Sequence, residues 1–252
     1  MIQKNGMEKK KVVLLYLSAF ILPISIYMAV LYIHQVYPFG DLSLMTGDMR
    51  YQFVDYLAYL KTIVFGSNDF NYSFSKNLGG NMAGFSAYYY NSPLNWLTLL
   101  YPASSLPIAE EVVILLTIGL SSLSCMYFLA ETKGLNVFAL PFAISYGLMG
   151  YSVTYFQLTI YSCTIILFPL VMLGFIRLMQ GKGRKLYFVS LFFIVLGNYY
   201  SGYMVCLFLA LMFFLYCLYE KLWNKKIILD FLLTSVLSVM LTSFSLLPAL
   251  LS

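Results

Sequence analysis

The chain has 252 residues, of which 61% are hydrophobic and 10% charged, with a formal net charge of +5. Soluble domains run nearer half apolar and a quarter charged. The balance therefore excludes a disordered chain, a soluble enzyme and a free nucleic-acid-binding module, and it specifies an all-α polytopic membrane protein. Four cysteines, Cys125, Cys163, Cys206 and Cys217, lie inside apolar runs and read as small buried hydrophobes rather than a disulfide framework. With His34 as the one histidine, no His-rich metal site is expected, nor any metal or cofactor.

The first element follows Lys4, Lys9, Lys10 and Lys11. The uncharged run 12–33 is long enough to cross about 30 Å of hydrocarbon at about 1.5 Å per residue, and no A-x-A cleavage pattern follows it. Residues 34–111 are mixed in character and read as one long loop. Further spans are expected at 112–130, 135–150, 156–176, 186–198, 203–219 and 227–251, which makes about seven in a single transmembrane domain, 1–252. The 42-residue run 135–176 breaks at Gly150-Tyr151-Ser152, and the 34-residue run 186–219 breaks at the segment from Gly197 to Gly202. The spans beside Gly197 are short, and one of them is a candidate for a broken or re-entrant helix. The positive-inside rule supports this count with a cytoplasmic N-terminus: twelve of the fifteen Lys and Arg then fall inside, leaving Arg50, Lys61 and Lys76 outside. The inside charge fits anionic membrane lipid and calls for no nucleic acid. The final Leu247-Pro248-Ala249-Leu250-Leu251-Ser252 has no polar tail, so the chain reads as a fragment of a longer protein.

The outside loop holds six of the ten acids: Asp41, Asp48, Asp55, Asp69, Glu110 and Glu111. Within it, 49–65 has helical periodicity. Met49, Phe53, Tyr56, Leu57, Leu60, Ile63 and Val64 make an apolar stripe, with Asp48, Gln52, Asp55, Tyr59 and Thr62 opposite. Such a helix is expected to lie along the membrane surface. Asp48 at its start is either an N-cap or a catalytic carboxylate just above the bilayer. Asp55 is a solvated helix residue or a substrate contact, and Asp41 is a turn residue. The run from Asn77 to Gly84 is glycine-rich but fits neither a P-loop nor G-x-G-x-x-G. Tyr88-Tyr89-Tyr90 and Trp96 read as an interfacial aromatic belt, or as rings that stack on a sugar or a lipid carrier. Asn198, Tyr199 and Tyr200 sit at the outer break between two spans, either capping a turn or lining the cleft that Asp48 faces. No chain of membrane-embedded Asp, Glu or His suggests an ion-coupled transporter.

Gly47-Asp48-Met49-Arg50-Tyr51-Gln52-Phe53, Tyr72-Ser73-Phe74, Leu78-Gly79-Gly80-Asn81, Tyr88-Tyr89-Tyr90, Ser92-Pro93-Leu94 and the segment from Asn198 to Met204 resemble, in order and spacing, the YfhO family of bacterial membrane proteins. That family is similar to GT-C glycosyltransferases, which have a core of about seven spans. The resemblance implies transfer of a sugar from a polyprenyl-phosphate carrier to an extracytoplasmic cell-envelope polymer such as lipoteichoic acid, with Asp48 as catalytic base. The match is made at Asp48 and Gln52 and does not extend to Asp41 or Asp55. Arg50 or Lys76 is a candidate for stabilising the leaving phosphate. Two other readings fit the composition: a lipid or polymer flippase or accessory subunit, and a non-catalytic envelope-assembly protein.

Overall fold

The computed structural model describes residues 9–66, 68–75, 78–221 and 223–251, and it is nearly all helical. The helices are α1 (Lys9–Ile33), α2 (Val54–Phe65), α3 (Ala83–Phe85), α4 (Pro93–Leu97), α5 (Leu106–Lys133), α6 (Ala139–Gly147), α7 (Gly150–Thr154), α8 (Ser162–Met179), α9 (Lys185–Gly197), α10 (Tyr199–Glu220), α11 (Lys225–Met240) and α12 (Ser243–Leu250). Among the described residues, four helical stretches are long and apolar enough to cross a membrane: Lys9–Ile33, Ala103–Lys133, Thr159–Met179 and Tyr199–Glu220. A fifth is formed if α11 and α12, bent by 67° at their junction, count as one. Along α10, Leu207, Leu211, Leu215 and Leu218 are exposed at helical spacing, as a lipid-facing stripe requires.

One expected span is broken in two, and another is as short as drawn from the sequence. The 135–150 span is the nine-residue α6 followed by α7, and the 186–198 span is the thirteen-residue α9. The expected break at Gly197 separates α9 from α10, and a further bend of 67° falls between α11 and α12. The second span begins at Leu106 rather than at residue 112, with Pro107 in its first turn, where a missing amide hydrogen costs nothing. Glu110 and Glu111, expected in the loop, are therefore inside this helix and buried.

Three packing units hold the bundle. At one end, α1 packs on α5 and α6 through Ala19, Met126, Ala130, Leu135 and Ala143. The opposite end of α1 meets α5 through Tyr27, Leu31, Ile114 and Ile118, with Met49, Phe53 and Ile160 seated among them. The largest unit joins α8, α9, α10 and α11 through Val171, Phe175, Tyr187, Leu191, Leu209 and Phe231. In this unit Gly174 lets α8 touch α9. A Cβ there would lie 2.4 Å from the Tyr187 amide nitrogen and 2.6 Å from its Cα. Gly174→Ala must separate the two helices, and overpacking of this kind costs about 1–3 kcal/mol. The expected outcome is a lower unfolding midpoint in detergent; an unchanged midpoint would contradict this close approach.

The two ends of the bundle differ in character. One gathers Lys133, the Glu131–Arg177 ion pair and the Arg184–Asp230 pair at 3.1 Å. The other carries the segment 34–105. Its described residues do not form one open loop: they include a π-helical turn over Met49–Phe53, α2, an antiparallel pairing of Tyr72–Ser73 with Gly80–Asn81, α3, a second π-helical turn over Ser86–Tyr90, and α4. The α2 stripe is as expected at Leu57 and Leu60, but Tyr90 and Leu106 cover it. The helix is thus docked on protein, with Val64 and Phe65 left exposed.

Candidate functional site

The site is built where the two π-helical turns meet. The first belongs to a helical segment that enters through Gly47, whose φ of +51° is cheap only for glycine. Asp48 follows in right-handed helical geometry, exposed, and its side chain makes no capping bond. The capping role weighed for Asp48 is therefore not used. Met49 and Phe53 are buried against α1 and α5, which turns Asp48 and Gln52 to the exposed side. The turn closes with an i to i+5 bond from the Val54 amide to the Met49 carbonyl, a geometry that recurs at functional sites.

The second π-helical turn carries Tyr88, Tyr89 and Tyr90. A helical turn leaves its last carbonyls without partners, and here three side chains supply them. Asn198 Nδ2 donates to the Tyr88 carbonyl at 3.1 Å, Asn95 Nδ2 to Tyr89 at 2.6 Å and Trp96 Nε1 to Tyr90 at 2.7 Å. Asn198 is fully buried, and its Oδ1 also accepts from the Ser201 amide at 3.0 Å, capping α10. One residue thus anchors the start of α10 to the tyrosine turn.

Side chains then join the two turns. The Tyr89 hydroxyl donates to Gln52 Oε1 at 3.1 Å, and the Tyr89 ring lies 4.4 Å from that of Tyr56. The Tyr88 and Tyr161 hydroxyls are 3.0 Å apart, and the Tyr88 ring centroid is 5.8 Å from that of Tyr199. Tyr88, Tyr89, Tyr199, Tyr200, Asn81 and Ala249 line a cavity of about 450 Å³. Beside it lies a second cavity of about 630 Å³, almost wholly apolar, walled by Tyr146, Met149, Ile165, Phe168 and Met204. Tyr200 lines both.

Burial, with lesser contributions from Tyr56, Tyr88, the Asp48 carboxylate and Tyr199, pushes the Tyr89 phenol up to about 12. An ordinary tyrosine ionises near pH 10, so the folded chain keeps this proton where the unfolded chain loses it. The stabilisation is full below about pH 10 and is lost as pH rises toward 12. A difference absorbance titration of wild type against Tyr89→Phe is expected to show one phenol ionising near 12. A midpoint near the ordinary value would mean that the Tyr89 phenol is not buried as described.

Of the residues singled out from sequence, the structure joins Gln52, Tyr88, Tyr89, Asn198 and Tyr199 through contacts, while Asp48 stands exposed one turn before Gln52 and lines neither cavity. Arg50 and Asp55 do not join them. The Arg50 guanidinium lies 5.7 Å from the ring centroid of exposed Tyr51, and Asp55 is exposed one turn beyond Gln52 and lines neither cavity. Lys76 lies outside the described residues. Sequence reasoning missed three features. The buried Glu110 carboxyl sits one turn before Ile114, with the Thr159 side chain beside it and neither oxygen in a well-formed hydrogen bond. Tyr161, paired with Tyr88, read only as part of a span. The last helix, α12, folds back so that the Asn91 amide donates to Ser245 Oγ at 2.5 Å and Ala249 reaches the cavity.

A family model described as bacterial membrane protein YfhO matches residues 18–252. No curated protein and no solved structure matches the chain.

Proposed function

The chain belongs to the YfhO family of bacterial membrane proteins, and from that premise we propose that it is a multi-pass membrane glycosyltransferase. In this reading it moves a sugar from a polyprenyl-phosphate carrier to an extracytoplasmic envelope polymer such as lipoteichoic acid. The observation that carries the reading is the Tyr89–Gln52 hydrogen bond, which ties the segment bearing Asp48 to the wall of an aromatic cavity with an apolar cavity beside it. A polar-rimmed chamber next to an apolar one suits a sugar joined through phosphate to a long hydrocarbon.

The chemistry is a substitution at the anomeric carbon. An acceptor hydroxyl oxygen attacks that carbon, the bond from carbon to phosphate oxygen breaks, and the polyprenyl phosphate leaves with the electron pair. Asp48 takes the hydroxyl proton, a step worth roughly 10²–10⁴-fold. The Tyr88, Tyr89 and Tyr199 rings offer faces for the sugar's C–H surface, and the apolar cavity takes the first isoprene units. Seven crossings with a GT-C-like core follow if the short α6 and α9 each cross and α11 with α12 counts as one. The basic end, with the N-terminus, is then cytoplasmic.

The test is wall-polymer glycosylation in cells lacking the full-length gene, complemented with wild type or Asp48→Asn at matched protein levels. Sugar lost with normal protein supports the reading. Sugar restored by the variant transfers it to a flippase or accessory role.

A further inference from the structure

At the basic end, away from the tyrosine cavities, the last turns of α5 and α8 and the residues just after α8 line a cleft of about 920 Å³. Its walls change character along the helices. Leu129, Leu173 and Ile176, the deeper residues, are apolar, whereas Lys133, Arg177 and Lys182 form the outer rim. Glu131, also on the wall, is paired with Arg177. Neither Lys133 nor Lys182 makes an ion pair among the described residues. The lining thus presents three cations against one carboxylate, with the two lysines unneutralised at the mouth and apolar surface within. Such a gradient matches a ligand with an anionic head and hydrocarbon below it, and basic pockets between membrane helices hold anionic headgroups in this way.

We propose that this cleft is a binding site for the phosphate headgroup of an anionic phospholipid, with Lys133 and Lys182 holding the phosphate and the α5–α8 wall covering the start of an acyl chain. The Arg177–Glu131 pair keeps the two helix ends at the spacing the headgroup needs. The cleft is distinct from the site of sugar transfer, and its occupancy does not depend on that reading.

The test is native mass spectrometry of the purified protein in neutral detergent, titrated with phosphatidylglycerol or phosphatidylcholine. Wild type is expected to retain phosphatidylglycerol in preference to phosphatidylcholine. Lys133→Gln with Lys182→Gln should weaken that retention by about thirtyfold, given about 1 kcal/mol for each basic residue near a lipid phosphate. Lys225→Gln with Lys226→Gln, at the same end but outside the cleft, should leave it unchanged. Equal weakening by both double variants would show diffuse surface charge rather than a site and would overturn the proposal. So would retention unaffected by the first pair, or no preference in wild type. Displacement of phosphatidylglycerol by inorganic phosphate at similar concentration would make the cleft a free-anion site, overturning the lipid assignment.

Discussion

Asp48→Asn is expected to lower sugar transfer by about 10²–10⁴-fold while leaving protein level and unfolding midpoint unchanged. Both halves of this expectation come from the same geometry. The Asp48 side chain is exposed and makes no capping bond, so removing its charge breaks no packing, and surface changes of this type stay within about 0.5 kcal/mol. Had Asp48 capped its helix, the substitution would remove a cap worth about 1 kcal/mol and stability would fall with activity. Comparing midpoint and activity in one variant therefore separates a base from a structural aspartate. Asp48→Glu keeps a proton acceptor but moves it by about one carbon–carbon bond, and it is expected to retain part of the rate, because near-attack geometry tolerates little displacement.

Asn198→Ala is expected to have the largest effect on folding. The amide side chain satisfies two buried groups at once, the Tyr88 carbonyl and the Ser201 amide. Truncation leaves both without partners at a fully buried position, each at about 1–3 kcal/mol, so a loss of about 2–6 kcal/mol is expected. Activity should fall too, since the tyrosine turn loses its link to α10. Asn198→Asp keeps the acceptor for Ser201 but has no proton for Tyr88 and places a charge in a buried site, so it should be no better than Ala. Unfolding in detergent with a graded denaturant reads both variants. Wild-type midpoints would contradict the anchoring role.

What was legible in the sequence was whatever repeats locally. The uncharged runs gave α1, α5, α8 and α10, because a helix in hydrocarbon satisfies its own backbone and needs only apolar side chains of sufficient length. The three- and four-residue spacing of Met49, Phe53, Leu57 and Leu60 gave the buried face of the segment before and through α2, and Asn198 showed as a break in an apolar run. What was not legible depends on partners distant in sequence. A π-helical turn has no local residue signature; those at Met49–Phe53 and Ser86–Tyr90 are held by Asn95, Trp96 and Asn198 and by the Tyr89–Gln52 bond. Glu110 reads as solvated because carboxylates usually are, and only the packing of α5 shows it buried. The 67° bend before α12 likewise depends on where Ser245 finds Asn91. Arg50 and Asp55 lie close in sequence to Gln52, yet neither lines a cavity.

The central claim, that the segment carrying Asp48 acts on a lipid-linked sugar at the tyrosine cavity, is tested most directly by reconstituting the purified protein in vesicles with a polyprenyl-phosphate donor carrying a labelled sugar. Label in the added polymer acceptor is then measured for wild type and for Asp48→Asn. The account predicts labelled polymer and free polyprenyl phosphate in equal amounts with wild type, and neither above background with Asp48→Asn. Donor that crosses the bilayer with its sugar bond intact, at the same rate for both proteins, would contradict it.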